Sequence, residues 1–171
     1  LKQITEAAHQ VGAKVVLVSF FEENKLATES DKTLARNQLK EPLQAAKHYG
    51  IRLGVETEVT AEELKSFIDS FNHPMIGIYY DTGNMVSMDV DIVKEIEFLQ
   101  DYICGVHLKD RKVGSSESIP LGEGDTDFEA VIIALKKINY TAPLIIQGAR
   151  REGIDDTKLN QHYLEWIKTK F

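Results

Sequence analysis

Five times over, a short run of apolar and β-branched residues gives way to a longer segment whose apolar residues recur every three or four positions. No other feature restricts the fold as much. The short runs are 14–20, 51–57, 75–81, 102–106 and 143–147. Near-continuous hydrophobicity is what a strand covered on both faces of a parallel sheet requires, and parallel neighbours need a crossover of a dozen or more residues between them. The intervening segments supply those crossovers as helices. Repetition of this kind leaves two architectures, an open doubly wound sheet or part of a (β/α)8 barrel.

The helical segments carry their own signals. Residues 2–11 place Ile4, Ala7, Ala8 and Val11 on an inward face, with Gly12 as terminator. Residues 21–32 are polar and long for a connection, and predict a loop over a strand end that can act as a lid. A helix over 32–49 presents Leu34, Leu39, Leu43 and Ala46, with a kink expected at Pro42 and a stop at Gly50. Thr60 and Glu63 form a capping box, Thr82-Gly83-Asn84 reads as a turn, and helices start near Asp89 or Asp91, at Asp127 and near Thr157. The last two present Val131, Leu135 and Ile138, then Leu159, Tyr163, Trp166 and Ile167.

Composition sets limits on partners. The chain has 171 residues, enough for one domain over 1–171, and 27 acidic against 20 basic side chains give a net charge of -7. That balance argues against non-specific binding to nucleic acid or to an anionic membrane surface. A single cysteine, Cys104, excludes an internal disulfide framework and fits a reducing, cytoplasmic setting. No apolar run approaches the roughly 18 residues of a membrane span.

Chemistry gathers at the carboxyl ends of the strands. Neither a G-x-G-x-x-G nor a P-loop directly follows any strand, so phosphate-cradling glycines are absent. Instead Glu56, Asp81, His107 and Gln147 close four consecutive strands, at separations of 25, 26 and 40 residues. Adjacent barrel strands would carry all four to one rim, the rim where barrel active sites lie. Two carboxylates, an imidazole and an amide oxygen form a donor set for one divalent cation such as Mn, Mg, Co or Zn. Alone, His107 reads as a structural histidine; the periodic set of four points to a site.

These residues also carry a resemblance. The stretches VETE (55–58), YYDTGN (79–84), GVHLKD (105–110) and IPLGEGDTDF (119–128) resemble the sugar-phosphate isomerase/epimerase group of the xylose isomerase-like TIM barrels, and within it the pentulose-5-phosphate 3-epimerases and hexulose-6-phosphate isomerases. The resemblance covers nearly the whole chain. It implies a partial (β/α)8 barrel holding the last five βα units without the first three, a metal on Glu56, Asp81 and His107, and proton transfer through an enediolate with Glu56 as catalytic base. The fourth ligand of that family is a glutamate that also serves as acid/base, and here the position is Gln147, whose amide can coordinate but cannot take up a proton. One-base isomerisation is compatible with that change; two-base epimerisation is not, unless Glu58 or Glu152 substitutes.

Lys109, Asn84 and Arg150 are the expected substrate-binding residues, Lys109 for an oxygen or phosphate, Asn84 for a hydroxyl and Arg150, with Arg151, for a phosphate. Three readings follow in order: a metal-dependent isomerase or epimerase of a small ketose or sugar phosphate, a catalytically reduced relative that binds a sugar or a protein partner, and a relative of apurinic-site endonucleases. The last lacks the additional histidines of a three-zinc cluster, since Asn84 follows the DTG turn and no histidine lies between Asp110 and His162. An incomplete barrel would have open sheet edges, so a homo-oligomer, or the remainder of the barrel, is expected to cover them.

Overall fold

A computed structural model describes residues 1–171. Its strands are β1 (Val15–Phe20), β2 (Arg52–Thr57), β3 (Ile76–Asp81), β4 (Ile103–Leu108) and β5 (Leu144–Ile146). Its helices are α1 (Lys2–Gln10), α2 (Glu29–Tyr49), α3 (Ala61–Asp69), α4 (Thr82–Ser87), α5 (Ile92–Leu99), α6 (Phe128–Lys137) and α7 (Asp156–Lys168). The strands form one sheet in sequence order, with β1/β2, β2/β3 and β4/β5 pairing in parallel. Sequential parallel pairing through helical crossovers is the α/β architecture that the alternation predicts.

Close contacts divide the chain into two compact units, Leu1–Tyr79 with Asp101–Gly105 and Tyr80–Gln100 with Val106–Phe171, and β3 and β4 contribute residues to both. In the first unit, Ser19 stands opposite Glu56 and Leu17 opposite Gly54, so these four side-chain positions share one face. The other face carries Val16, Phe20, Leu53 and Val55, all buried, and Phe20 meets Phe67 of α3 edge-on at 6.3 Å. Tyr79 lies over Gly54 and Gly105, where any added methyl group would press on its ring. Cys104 is buried, and burial pushes its thiol up to about 11. It is a core residue, not a nucleophile.

One expected helix face, and one residue of a second, are corrected by the structure. In α1, Ile4 (55% exposed), Ala7 and Val11 (81%) face solvent and Thr5 is the buried residue. Its hydroxyl donates to the Leu1 carbonyl, so burial leaves no polar group unsatisfied. In α2 the buried stripe is Ala35, Leu39, Pro42, Leu43 and Ala46, and Leu34 is 59% exposed. Leu39, Leu43 and Ala46 are buried as expected, and only Leu34 gives up its place, to Ala35; burying a leucine stabilises by about 1.5–3 kcal/mol, so that one exchange is a real difference. The helix also starts earlier than its apolar pattern suggests. Thr28 and Asp31 form a reciprocal capping box ahead of Glu29, where the polar loop was expected to continue.

The second unit packs α5 against α6, with Lys137 paired to Glu97 at 2.6 Å. α5 is capped by Asp91 and α6 by Asp127, as expected. Thr82-Gly83-Asn84 is a correction: it opens the six-residue helix α4 instead of making a turn, because the Asp81 side chain accepts from the Asn84 amide at 2.8 Å. Ile145, on β5, is 45% exposed, as Leu17 is at 38% on β1.

Candidate active site

Asp81 ends β3 and caps α4 in the same residue. Its Oδ1 is committed to the Asn84 amide. Its Oδ2 is buried and accepts no hydrogen bond, yet stands 3.6 Å from His107 Nδ1 and 3.8 Å from Lys109 Nζ. A buried carboxylate oxygen with no donor is costly unless something cationic completes it. One ligand atom each from Glu56, Asp81 and His107 lie within 4.8 Å of one another. Glu56 is 6% exposed, Asp81 2% and His107 9%.

Strand ends are held in register by a hydroxyl. Thr82 Oγ1 accepts from the Lys109 amide (3.0 Å) and donates to the Lys109 carbonyl (2.7 Å). Thr126 Oγ1 reaches the same carbonyl at 3.3 Å. The Lys109 side chain therefore has a fixed origin, and it passes so close to Gly83 that a Cβ there would meet its Cγ at 2.8 Å. Its ammonium donates to Asn84 Oδ1 at 3.2 Å. Both residues are buried, at 7% and 3% exposure.

Beyond Lys109 the chain turns around Asp110, which is fully buried. Asp110 Oδ2 accepts from the amides of Gly122 (2.8 Å) and Gly124 (2.9 Å), and Oδ1 from that of Thr126 (3.1 Å). This cage explains the spacing of HLKD and PLGEGDTDF: one carboxylate organises a loop a dozen residues away. Gly124 has no room for a side chain, since a Cβ would collide with Asp110, and Gly122 has a φ of +88° beside Trp166. Thr82, Thr126 and the cage are positioning elements that residue type and spacing alone did not reveal.

The other expected residues lie as follows. Gln147 follows β5, with its amide donating to the Leu108 carbonyl at 3.0 Å and its side chain exposed. Glu58 and Glu152 are exposed. Arg150 is exposed and pairs with Asp156 at 3.5 Å, while Arg151 pairs closely with Glu123. Tyr80 donates to Glu95 at 2.9 Å, and burial first, then the Glu95 charge, pushes its phenol far above the usual range. It cannot exchange protons at neutral pH. A separate crevice lined by Arg52, Asp69, His73, Asp101 and Tyr102 lies in the first unit, away from the carboxyl ends of the strands, and Asp69 there is already bonded to Lys65 and the Tyr102 hydroxyl, each at 2.7 Å.

The model of the family described as the xylose isomerase-like TIM barrel matches residues 1–170. The chain belongs to the xylose isomerase-like TIM barrel family. Among curated relatives, L-ribulose-5-phosphate 3-epimerase UlaE of Escherichia coli (strain K12) is 25% identical over 99% of this chain, and so is the enzyme of that name from Shigella flexneri. The chain spans 62% of the length of each. Among solved structures, an L-ribulose 3-epimerase superposes with a TM-score of 0.80 at 21% identity, covering 99% of this chain and 65% of the other. The IOLI protein with a binding zinc atom superposes at 0.81 and 18% identity, covering 99% and 68%. At those identities the superpositions establish the xylose isomerase-like fold alone. No helix of this chain is long and apolar enough to cross a membrane.

Proposed function

We propose that this protein is a divalent-metal-dependent isomerase or epimerase of a small ketose or its phosphate. The convergence of Glu56, Asp81 and His107 carries the reading, supported by curated relatives named as epimerases of a ribulose phosphate. A donor-less, buried Asp81 oxygen beside an imidazole and a second carboxylate fits one cation of the Mn, Mg, Co or Zn class. Gln147 adds an amide oxygen as a weak fourth ligand. Bound there, the cation would polarise a substrate carbonyl and acidify the neighbouring C–H.

Glu56 takes that proton. Asp81 is unsuited to the task, because one oxygen is held by the Asn84 amide and the other faces the Lys109 ammonium. Loss of the proton leaves an enediolate, and its return to the neighbouring carbon gives the isomer. Asn84 and Lys109 position a substrate hydroxyl or oxygen. Arg150, released from Asp156, is the cation for a phosphate.

Elemental analysis of the protein dialysed without chelator tests the centre. About one equivalent of divalent metal is expected, falling below a tenth of that in His107→Ala, since a three-donor site loses most of its affinity with one donor. Equal metal in both proteins would remove the proposal. Metal without proton exchange into ketoses would favour the sugar- or protein-binding relative, for which Gln147 is the motivating residue.

We further infer that the sheet is part of a (β/α)8 barrel. β1 pairs only with β2 and β5 only with β4, and apolar Leu17 and Ile145 are exposed on them. A second copy covering those edges is the expected state of the isolated chain. Light scattering during gel filtration should give twice the 19.3 kDa chain mass, and a monomer at every concentration would rule that out.

A further inference from the structure

One positive charge of the protein itself stands beside Asp81, the ammonium of Lys109. Its side chain is 9% exposed, and its ammonium lies 3.8 Å from the Asp81 oxygen that accepts no hydrogen bond. Two hydrogen bonds from the Lys109 backbone to Thr82 Oγ1 fix where the side chain starts, and it runs through the space that the missing side chain of Gly83 leaves open. The parallel register of β4 and β5, His107 opposite Ile145 and Leu108 opposite Ile146, carries forward to Lys109 opposite Gln147. The strand position next to Lys109 is thus a residue without charge. With Glu56 and Asp81 as anions and a divalent ion bound, Lys109 brings the total formal charge of the site to +1.

We propose that Lys109 is a built-in competitor for the divalent cation, whose affinity it sets. Resting on the metal reading above, this adds that half of the carboxylate charge of the centre is offset from within: the ammonium satisfies part of the field of Asp81 and repels an incoming ion. Charges this close and this buried interact strongly, because water screens them poorly. The surplus positive charge of the loaded site then favours a substrate that becomes anionic, as an enediolate does.

Calorimetric titration with Mn2+ alone, on the whole chain, tests the proposal with no assay of turnover. Lys109→Met keeps the length and packing of the side chain and removes its charge; Lys109→Arg keeps the charge. The Met variant is expected to bind Mn2+ tighter by on the order of tenfold or more, and the Arg variant to stay near wild type. Wild type and Met variant with equal affinity, or a Met variant that binds more weakly while its circular dichroism and thermal midpoint match wild type, would overturn the competitor role and leave the metal centre standing. Mn2+ binding by none of the three proteins would overturn both. A Met variant that fails to fold leaves the decision to Lys109→Gln in the same titration, with the same expected direction.

Discussion

Alanine at position 110 is expected to destabilise the protein by about 3–5 kcal/mol, a large part of the total stability of a domain of this size. Asp110 is fully buried and accepts from three backbone amides, those of Gly122, Gly124 and Thr126. Hydrogen bonds to a charged group contribute roughly 1.5–3 kcal/mol each, and donors left unmade inside the protein cost more than the bonds themselves were worth. Because the three share one carboxylate, their losses do not simply add, which is why the expected value lies below their sum. Asparagine is expected to fall between, since its amide nitrogen must face at least one of the donors. Gly124→Ala reaches the same loop from the other side, by driving a methyl group into the Asp110 carboxylate. Urea denaturation followed by circular dichroism measures all three. An Asp110→Ala variant within 1 kcal/mol of wild type would show that the cage is not what holds the loop.

The same residue illustrates what could be read in advance. Nothing local to Asp110 indicates that its partners are amides twelve to sixteen residues later. Period-2 and period-3.6 patterns report burial, so the five strands, the capping residues Asp91 and Asp127 and the grouping of Glu56, Asp81 and His107 are legible. Apolar spacing carries no record of hydrogen bonding, and three of the differences involve a side-chain bond that it leaves out of view. Thr5 is buried in α1 because its hydroxyl bonds to Leu1, while Ile4 and Val11 are left outside. Thr28 begins α2 through Asp31, in a stretch with no apolar period to reveal it. Asp81 turns Thr82-Gly83-Asn84 from a turn into a helix by accepting one amide proton. Lys109 and Asn84 are legible as polar residues just beyond two strand ends, but their mutual bond depends on Thr82 joining those ends.

Replacing Glu56 by glutamine should lower proton exchange into a ketose substrate by about 10²–10⁴-fold, the span that one positioned acid–base group contributes. The amide is nearly isosteric and can still offer an oxygen to a cation, so the assay is made at saturating Mn2+ to separate lost ligation from lost basicity. Asp81 cannot stand in, being capped by Asn84 and faced by Lys109, and Tyr80 is held protonated by burial and Glu95. No second carboxylate is available at position 147. If isomerisation proceeds with one base, it falls in Glu56→Gln by the same factor as the exchange, and Gln147→Glu leaves isomerisation within a few-fold of wild type while adding exchange on the opposite face of the same carbon. If instead Glu56→Gln retains wild-type exchange at saturating metal, the proton leaves by another route and Glu56 is a ligand only. The pair of variants thereby separates the two positions: Glu56 as a proton acceptor, and residue 147 as the place of a second acceptor that a glutamine withholds.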